Sequence, residues 1–304
     1  MVVTHGSLQR ARGRCALTIG NFDGVHRGHR ALVDRVIARA REAKLTSCVL
    51  TFEPHPREFF AGEAAPARIT RLRDKLDLLG QAGIERVHVA RFDARFAALP
   101  AERFIEDVLV RGLGTRWLLV GQDFRFGVRR TGDFATLQDH GFTVEAMPDV
   151  EFDGRRVSSS AVRAALKAGD LRGAERLLGH PYTISGRVAH GAKLGRDLGF
   201  PTANIVLRRT APLSGIFAVE VEGVADGKKA GVASVGRRPT VNPVPIPLLE
   251  VHLLDWDGDL YGSHIKVRFL KKLRDERKYD GLDALKEAIA HDARQARDYF
   301  VNHG

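Results

Sequence analysis

The segment that most constrains the fold of this chain spans residues 16–45. An apolar run at 16–19 ends in Gly20, a tight turn carries Asp23 and Gly24, and an amphipathic segment begins near Gly28. The apolar residues of that segment recur at helical spacing: Leu32, Val33, Val36 and Ile37. The pattern predicts a strand, a glycine-bearing turn and a helix in direct succession.

The start of such a helix suits a phosphate group, because unpaired backbone N–H groups and the positive end of the helix dipole face the space above the turn. His26 and His29 add two imidazole donors at this point, three residues apart. A His-x-x-His pair can also ligate zinc, but the sequence offers no Cys, His or carboxylate partner nearby at metal-ligand spacing. We therefore favour a nucleotide phosphate site.

The residues of this turn also carry a family resemblance. The stretch 20–29, GNFDGVHRGH, resembles the G-x-F-D-G-V-H-x-G-H motif of the bacterial bifunctional riboflavin kinase/FMN adenylyltransferases, also called FAD synthetases. The H-x-G-H core alone is shared with a whole nucleotidyltransferase superfamily, so the narrower assignment depends on the rest of the chain. The resemblance implies a catalytic role for His29 and ATP binding by seven residues: Gly20, Asn21, Phe22, Asp23, Gly24, His26 and His29.

Length and apolar patterning limit the class of protein. A chain of 304 residues is long enough for two domains. No apolar run approaches the roughly 18 residues of a membrane helix, and residues 1–14, predicted to be irregular, lack the apolar core of a secretory signal. We expect a cytoplasmic protein with no membrane partner. Cys15 and Cys48 fall in predicted buried strands and are expected to be core residues, not a disulfide framework.

The net charge of +11 is spread over both halves of the chain, without a block of about five like charges. Neither basic residues interleaved with aromatics nor a recognition-helix pattern occurs, so no nucleic-acid partner is expected. Polyphosphate substrates account for the same surplus of positive charge. A basic nucleic-acid-binding or flavin-sensing protein with vestigial ATP sites is the alternative from a different class.

Strands alternate with helices in the first half, which indicates a parallel sheet covered on both faces. The predicted strands are 16–19, 47–52, 86–90 and 116–121, and the later helices are 72–83 and 101–111. The loops after Ile19, Phe52 and Val120 lie at one edge of such a sheet, the edge where ligands gather.

The second of these loops matches the P-H-P-R-E-F loop of the family, and the third contains the D-F-R-F-G segment. The resemblance implies that these loops bind flavin through five residues: Phe52, His55, Arg57, Phe60 and Asp123. A carboxylate at Asp123 would repel an FMN phosphate unless it pairs with Arg125.

Three serines at 158–160 open a further helix, predicted to run through Leu166. Hydroxyls at a helix start are usually N-caps, but Arg163, about one turn in, can reach phosphates held by the same N-terminus. The segment resembles the S-S-T/S-x-V-R motif of the family. The resemblance implies that Ser159, Ser160 and Arg163 bind the triphosphate of ATP and that Arg163 takes part in catalysis.

A domain boundary is predicted near residue 180, which divides the chain into 15–180 and 181–304. Short β-type segments follow at 182–188, 202–207, 215–221, 229–235, 248–254 and 265–269, and 282–300 has the apolar stripe of a covering helix. The predicted fold is α/β followed by β. A Rossmann-like nucleotidyltransferase domain with a parallel sheet precedes a six-stranded antiparallel β-barrel with a closing helix.

Thr202 and Asn204 are two apart on a predicted strand and so share a face, where their oxygens are hard ligands suited to Mg²⁺. The glycines of the loop before them, Gly191, Gly195 and Gly199, allow it to fold over phosphates, with Lys193 and Arg196 as charge partners. A glycine-rich surface loop that leads into a polar-faced strand is the alternative. Alternation likewise places Glu250 on the opposite face from Leu249.

The second half resembles the riboflavin kinase domain of the same family, through GRVAHGAKLGRDLGFPTAN at 186–204 and LEVHL at 249–253. The resemblance implies that Thr202 and Asn204 bind Mg²⁺ and nucleotide, that the glycine-rich loop binds ATP, and that Glu250 is the catalytic base. Ser234 stands where the family usually has Asn.

The predicted function is FAD synthesis in two steps. The second domain phosphorylates riboflavin with ATP to FMN, and the first adenylates FMN with ATP to FAD and pyrophosphate, with Mg²⁺ as cofactor. The partners are riboflavin, FMN and ATP, and the oligomeric state stays open. A nucleotidyltransferase for another phosphorylated metabolite, with a barrel that only binds, is the enzyme alternative. Thr202, Asn204 and Glu250 argue against it.

Overall fold

The structure, a computed structural model, describes residues 1–6, 11, 13–190, 199–207, 209–224, 227–238 and 246–303. Its contacts divide the chain into two compact units: 1–66 with 72–158, and 67–71 with 159–304. This division assigns residues 159–178 to the second unit. The domain boundary near residue 180 stays a prediction.

A six-stranded parallel sheet forms the first unit, with the strand order β1-β4-β3-β2-β5-β6. The strands are β1 (Val2–His5), β2 (Cys15–Ile19), β3 (Thr46–Glu53), β4 (Arg86–Arg91), β5 (Thr115–Gly121) and β6 (Thr143–Met147). All five neighbouring pairs are parallel. The carboxyl ends of the strands therefore share one edge, as predicted.

Helices connect these strands. They are α1 (Arg27–Ala43), α2 (Pro56–Ala61), α3 (Leu72–Gln81), α4 (Ala94–Ala97), α5 (Ala101–Arg103) and α6 (Phe134–Asp139), and a short hairpin of β7 (Glu151–Phe152) and β8 (Arg155–Arg156) follows β6. The helix predicted at 101–111 is present, but it continues from α5 as a π-helix over Phe104–Leu113. Hydrophobic spacing near 3.6 residues predicts a helix without distinguishing the two hydrogen-bond patterns.

The side chains of successive residues in the central strands pack into separate hydrophobic cores on the two faces of the sheet. Cys15 and Cys48 are free and fully buried, as predicted, and they pack on one face with Leu109 of the π-helix. Ala16 points to the other face, where the core includes Val36 of α1. Because both faces of the sheet are covered, successive strand residues are all buried, and the strand sequences are continuous apolar runs.

The prediction that residues 1–14 are irregular is wrong for β1. This edge strand pairs with β4, and its Thr4 Oγ1 forms a 2.8 Å hydrogen bond with His88 Nδ1. Four residues, of which only Val3 is partly buried, give too little periodicity for a sequence-based strand prediction.

The second unit begins with α7 (Ser159–Ala168) and α8 (Leu171–Leu178) and continues as a six-stranded antiparallel sheet of order β10-β13-β12-β11-β14-β9. The strands are β9 (Thr183–Arg187), β10 (Ala203–Val206), β11 (Gly215–Val224), β12 (Gly227–Arg238), β13 (Ile246–Leu253) and β14 (His264–Arg274). The Ala189 N–H donates to the Asn204 carbonyl at 2.8 Å, which links the two ends of this order. The sheet thus closes into a barrel, and the predicted fold class is confirmed.

The last helix, α9 (Leu282–His303), packs against β11, β12 and β14. Asp292 of α9 is buried, and its two carboxylate oxygens accept hydrogen bonds from Arg274 Nε and Nη2 of β14 at 2.8 and 2.6 Å. The predicted apolar stripe is wrong at its first position, because Leu282 is 58% exposed. The helix is therefore anchored around its middle, where Ala288, Asp292, Ala293 and Ala296 are buried.

We expect Asp292→Ala to lower the free energy of unfolding of the second unit by about 3–5 kcal/mol, because it leaves the Arg274 charge partly buried without its partner. Denaturant unfolding of the full chain measures the change. Asp34→Ala breaks the exposed Arg30–Asp34 pair and serves as the control, with an expected cost below about 0.5 kcal/mol. Equal stability of the two variants would contradict the anchoring role.

Candidate active sites

The turn between β2 and α1 brings the two predicted histidines together. His26 caps α1, since its Nδ1 accepts a hydrogen bond from the backbone N–H of His29 at 3.3 Å. The two rings stack with their centroids 3.7 Å apart and their planes 15° apart. Because Nδ1 of His26 is an acceptor, the proton of its neutral ring is on Nε2.

Close packing holds the backbone of this turn in one conformation. Phe22 and Val25 adopt positive φ angles of 49° and 40°. A Cβ atom at Gly20 would lie 3.1 Å from the Phe22 ring, and one at Gly28 would lie 3.2 Å from His26 Nδ1. Both contacts would be tighter than usual, so a Cβ at either position would require the facing ring to shift.

Two of the predicted ATP-binding residues are turned inward. The Phe22 side chain is fully buried, and its ring centroid lies 5.0 Å from that of His29. Asp23 is 2% exposed. The Phe22 side chain thus supports the His29 ring from the core, which leaves its backbone as the part available to a ligand.

The environment of His29 keeps its ring neutral. Its Nδ1 is enclosed and has no hydrogen-bond partner among the described residues. Burial, the neighbouring His26 ring and the positive charge of Lys75 lower the pKa of His29 well below its usual value. The sequence prediction missed Lys75. Its position was a signal, because this charged residue lies on the apolar stripe of α3, three residues after Leu72 and four before Leu79.

The predicted triphosphate-binding residues lie at the start of α7. Ser160 is exposed, and Ser159 and Arg163 are partly exposed. Arg163 Nε donates a 2.6 Å hydrogen bond to the Ala67 carbonyl. Part of the guanidinium is therefore used to hold the 67–71 loop within the second unit.

The loop after β3 leads directly into α2. His55 caps this helix, because its Nδ1 accepts from the Arg57 N–H at 3.0 Å and its own N–H donates to Glu58 Oε2 at 3.3 Å. Arg57 is exposed and Phe60 is 71% exposed. The cap thus fixes how the loop presents its cation and its aromatic ring.

Phe52 and Phe60, both predicted to bind flavin, share a third ring. The Phe92 centroid lies 5.7 Å from that of Phe52 and 5.8 Å from that of Phe60. We call this group, completed by Phe59 and Phe96, the aromatic cluster. The sequence prediction missed Phe92, yet its position immediately after β4 places it at the edge where ligands gather.

Asp123 is exposed after β5. Arg125, the cation expected to offset its charge, is paired with Asp133 instead. Arg125 Nη1 donates to Asp133 Oδ2 at 2.6 Å. Asp133 caps α6, and its bonds with the Thr136 N–H, the Thr136 hydroxyl and Arg125 lower its pKa. The conditional pairing of Asp123 with Arg125 is therefore not observed.

In the barrel, three polar residues form a row across adjacent strands. Glu250 of β13 is directly opposite Asn204 of β10 on one side and Ser234 of β12 on the other. Residues paired in this way project from the same face of the sheet, about 5 Å apart. Glu250 is partly exposed and Leu249 fully buried, so the predicted alternation is confirmed.

Thr202 and Asn204 line a cleft together with eleven others: Val188, Pro201, Ala203, Val251, Leu253, Trp256, Asp257, Gly258, Asp259, Leu260 and Tyr261. The placement of Thr202 on the strand is wrong, because β10 begins at Ala203. Asn204 Nδ2 donates to the Thr202 carbonyl at 3.3 Å, while its buried Oδ1 has no hydrogen-bond partner in the described ranges. Such an oxygen fits Mg²⁺ coordination.

Gly191, Lys193 and Gly195, predicted to bind ATP, lie outside the described residues.

A further carboxyl group, not predicted from the sequence, approaches this row. Ser234 Oγ donates to Glu276 Oε1 at 3.5 Å. Burial and the negative charge of Glu250 raise the pKa of Glu276, although the bond from Ser234 acts in the opposite direction. Glu250 thus has a second carboxyl group within electrostatic range.

Comparison with known proteins matches both halves of the chain. A family model described as FAD synthetase covers residues 8–161, and one described as riboflavin kinase covers 178–300. The chain is 50% identical over 301 residues to the bifunctional riboflavin kinase/FMN adenylyltransferase of Escherichia coli (strain K12), covering 97% of this chain and 96% of the relative. The chain belongs to the bifunctional riboflavin kinase/FMN adenylyltransferase family. The predicted family and its two activities are confirmed.

A second relative and a solved structure are also similar over most of the chain. The Pseudomonas fluorescens enzyme of the same name is 51% identical over 289 residues, which are 93% of this chain and 92% of the relative. A crystal structure described as a macrolide-efflux protein from Streptococcus pneumoniae is 28% identical, with a TM-score of 0.79 over 98% of this chain and 99% of that one.

In the ranges that the structure describes, we find no helix with the length and apolar content to span a bilayer.

We expect Gly28→Ala to reduce FMN adenylyltransferase activity about tenfold, because the added Cβ would lie 3.2 Å from His26 Nδ1 and shift the ring within its cap and stack. Riboflavin kinase activity of the same chain should be unchanged, and assays with FMN or riboflavin as substrate separate the two. Gly13→Ala is the matched control, since its Cβ would have no atom within 4 Å. An adenylyltransferase rate equal to that of Gly13→Ala would contradict the packing argument.

Proposed function

We propose that the chain makes FAD in two steps, with a differently equipped site for each. The barrel phosphorylates riboflavin with ATP to give FMN, and the site at the β2–α1 turn adenylates FMN with ATP to give FAD and pyrophosphate. One contrast carries the proposal. The first turn of α1 has a histidine pair and no acidic residue, whereas the barrel places a carboxylate beside a buried amide oxygen.

Phosphorylation of riboflavin requires a base. A neutral ribityl hydroxyl attacks the γ-phosphate of ATP, and its proton must leave as the new P–O bond forms. Glu250 is the proposed acceptor of this proton. Its partial exposure and its position opposite Asn204 support this role, because the base must stand close to the nucleotide phosphates.

Thr202 and Asn204 are the proposed Mg²⁺ ligands of the kinase site, with ATP phosphates and water as the others. The unpartnered Oδ1 of Asn204 and the cleft that both residues line support this role. Bound Mg²⁺ would offset the negative charge of the transferring phosphate. We also assign ATP binding to Gly191, Lys193 and Gly195 as part of this proposal.

Adenylation makes different demands. The nucleophile is the phosphate of FMN, whose second pKa of about 6 leaves it largely dianionic at neutral pH, so no base is needed. The site must instead stabilise the charge on the α-phosphate and on the departing pyrophosphate. The N–H groups of the α1 N-terminus, the Nε2–H of His26 and the neutral ring of His29 are suitable donors.

The remaining substrate contacts are assigned by residue type and exposure. Ser159, Ser160 and Arg163 are proposed to bind the triphosphate of ATP. The aromatic cluster, with Phe52 and Phe60, offers faces and edges for the isoalloxazine ring of FMN. His55, Arg57 and Asp123 complete the proposed flavin site.

Glu250→Gln should lower the rate of FMN formation from riboflavin by about 10²–10⁴-fold, because the amide cannot accept the hydroxyl proton. The variant should still convert supplied FMN to FAD, since that step uses no base. Chromatography of the flavins formed with ATP and Mg²⁺ measures both. Near-normal kinase activity would remove Glu250 as the base.

His29→Ala should show the reverse pattern. Loss of the imidazole donor lowers FAD formation, while FMN still accumulates from riboflavin because the barrel is untouched. The same chromatographic assay reports both products in one reaction. Equal loss of the two activities would argue against separate sites.

A further inference from the structure

A buried lysine connects α3 with the β2–α1 turn. Lys75 is 3% exposed, and its Nζ donates to Thr51 Oγ1 at 3.3 Å. Thr51, at the end of β3, is fully buried and donates to the backbone carbonyl of Asn21 at 3.2 Å. Lysines are seldom buried to this extent unless their ammonium group has a specific task or partner.

Lys75 also acts on the histidine pair. The ionisable groups that influence His29 are His26, from the same turn, and Lys75, from α3. The uncharged ring of Phe22 also lies close, with its centroid 5.0 Å from that of His29. His26 accepts a hydrogen bond through Nδ1, and both His26 and Lys75 lower the pKa of His29. Of the two, only Lys75 comes from another element of the fold.

We propose that Lys75 is a positioning residue for adenylyl transfer, which holds the turn of residues 20–24 in place through its hydrogen bond to Thr51. The inference rests on the proposed role of His29 in FAD formation. Two consequences follow for the substrate. The turn keeps its backbone N–H groups in place, and His29 offers the phosphates a neutral hydrogen-bond donor that stays stacked on His26.

The test compares four variants of the full chain: Lys75→Met, Lys75→Arg, Thr51→Val and Arg73→Met. Each is assayed for FAD formation from FMN and for FMN formation from riboflavin, the latter as an internal measure of folding. The protonation of His29 is followed by NMR titration of ring-labelled histidines, with its signal identified by its loss in His29→Ala. Arg73 is exposed on the same helix and is the matched control.

We expect Lys75→Met to lower the kcat of FAD formation by about tenfold to a hundredfold, with FMN formation unchanged. The titration midpoint of His29 should rise, because a like charge has been removed. Lys75→Arg should keep the midpoint low. Thr51→Val should lower FAD formation without moving the midpoint, and Arg73→Met should change neither quantity.

An unshifted His29 midpoint in Lys75→Met, with FAD formation within twofold of the unmodified enzyme, would overturn the inference. If Lys75→Met fails to fold, Thr51→Val decides, since FAD formation at the full rate would show that the Lys75–Thr51–Asn21 connection is dispensable. The titration reports on Lys75 and His29 whatever the activity of His29→Ala. Failure of the proposed role of His29 is therefore distinguishable from failure of this inference.

Discussion

Parallel pairing of β2 with β3 and β5 is the constraint on which the first unit depends. It places three strand ends at one edge, so that the histidine turn, the His55 loop and the loop of Asp123 all begin there. Both faces of the sheet are covered by helices, which leaves this edge as the open side for ligands. The register of three buried strands thus determines where the chemistry of this unit can occur.

The two units treat charge differently. At the β2–α1 turn the histidine pair supplies hydrogen-bond donors, and burial lowers the pKa of His29 so that its ring stays neutral. In the barrel, the carboxylate of Glu250 lies in a row of polar side chains, and its negative charge raises the pKa of a second carboxyl group, Glu276. A phosphate nucleophile needs no base and an alcohol does, so this difference matches the two reactions of the family.

Sequence patterns predicted the long elements well and the contacts between elements poorly. The period of the apolar residues predicted the strand and helix of residues 16–45 and six barrel strands. It missed β1 and β6, the short strands at the two edges of the parallel sheet, and it could not distinguish the π-helix from an α-helix. Phe92 and Lys75 were missed because each looks like an ordinary member of its element until a neighbouring element brings it to a ligand-binding edge.

The sequence by itself determined the family, the two activities and the order of the elements, because motifs and periodicities are local in the chain. Only the tertiary structure decided which atoms are buried, paired or available. It turned the Phe22 ring into the core, engaged Arg125 with Asp133 in place of Asp123, and left Asn204 Oδ1 without a partner among the described residues. The reason is physical: desolvation and hydrogen bonding depend on groups distant in sequence, and no local pattern encodes their approach.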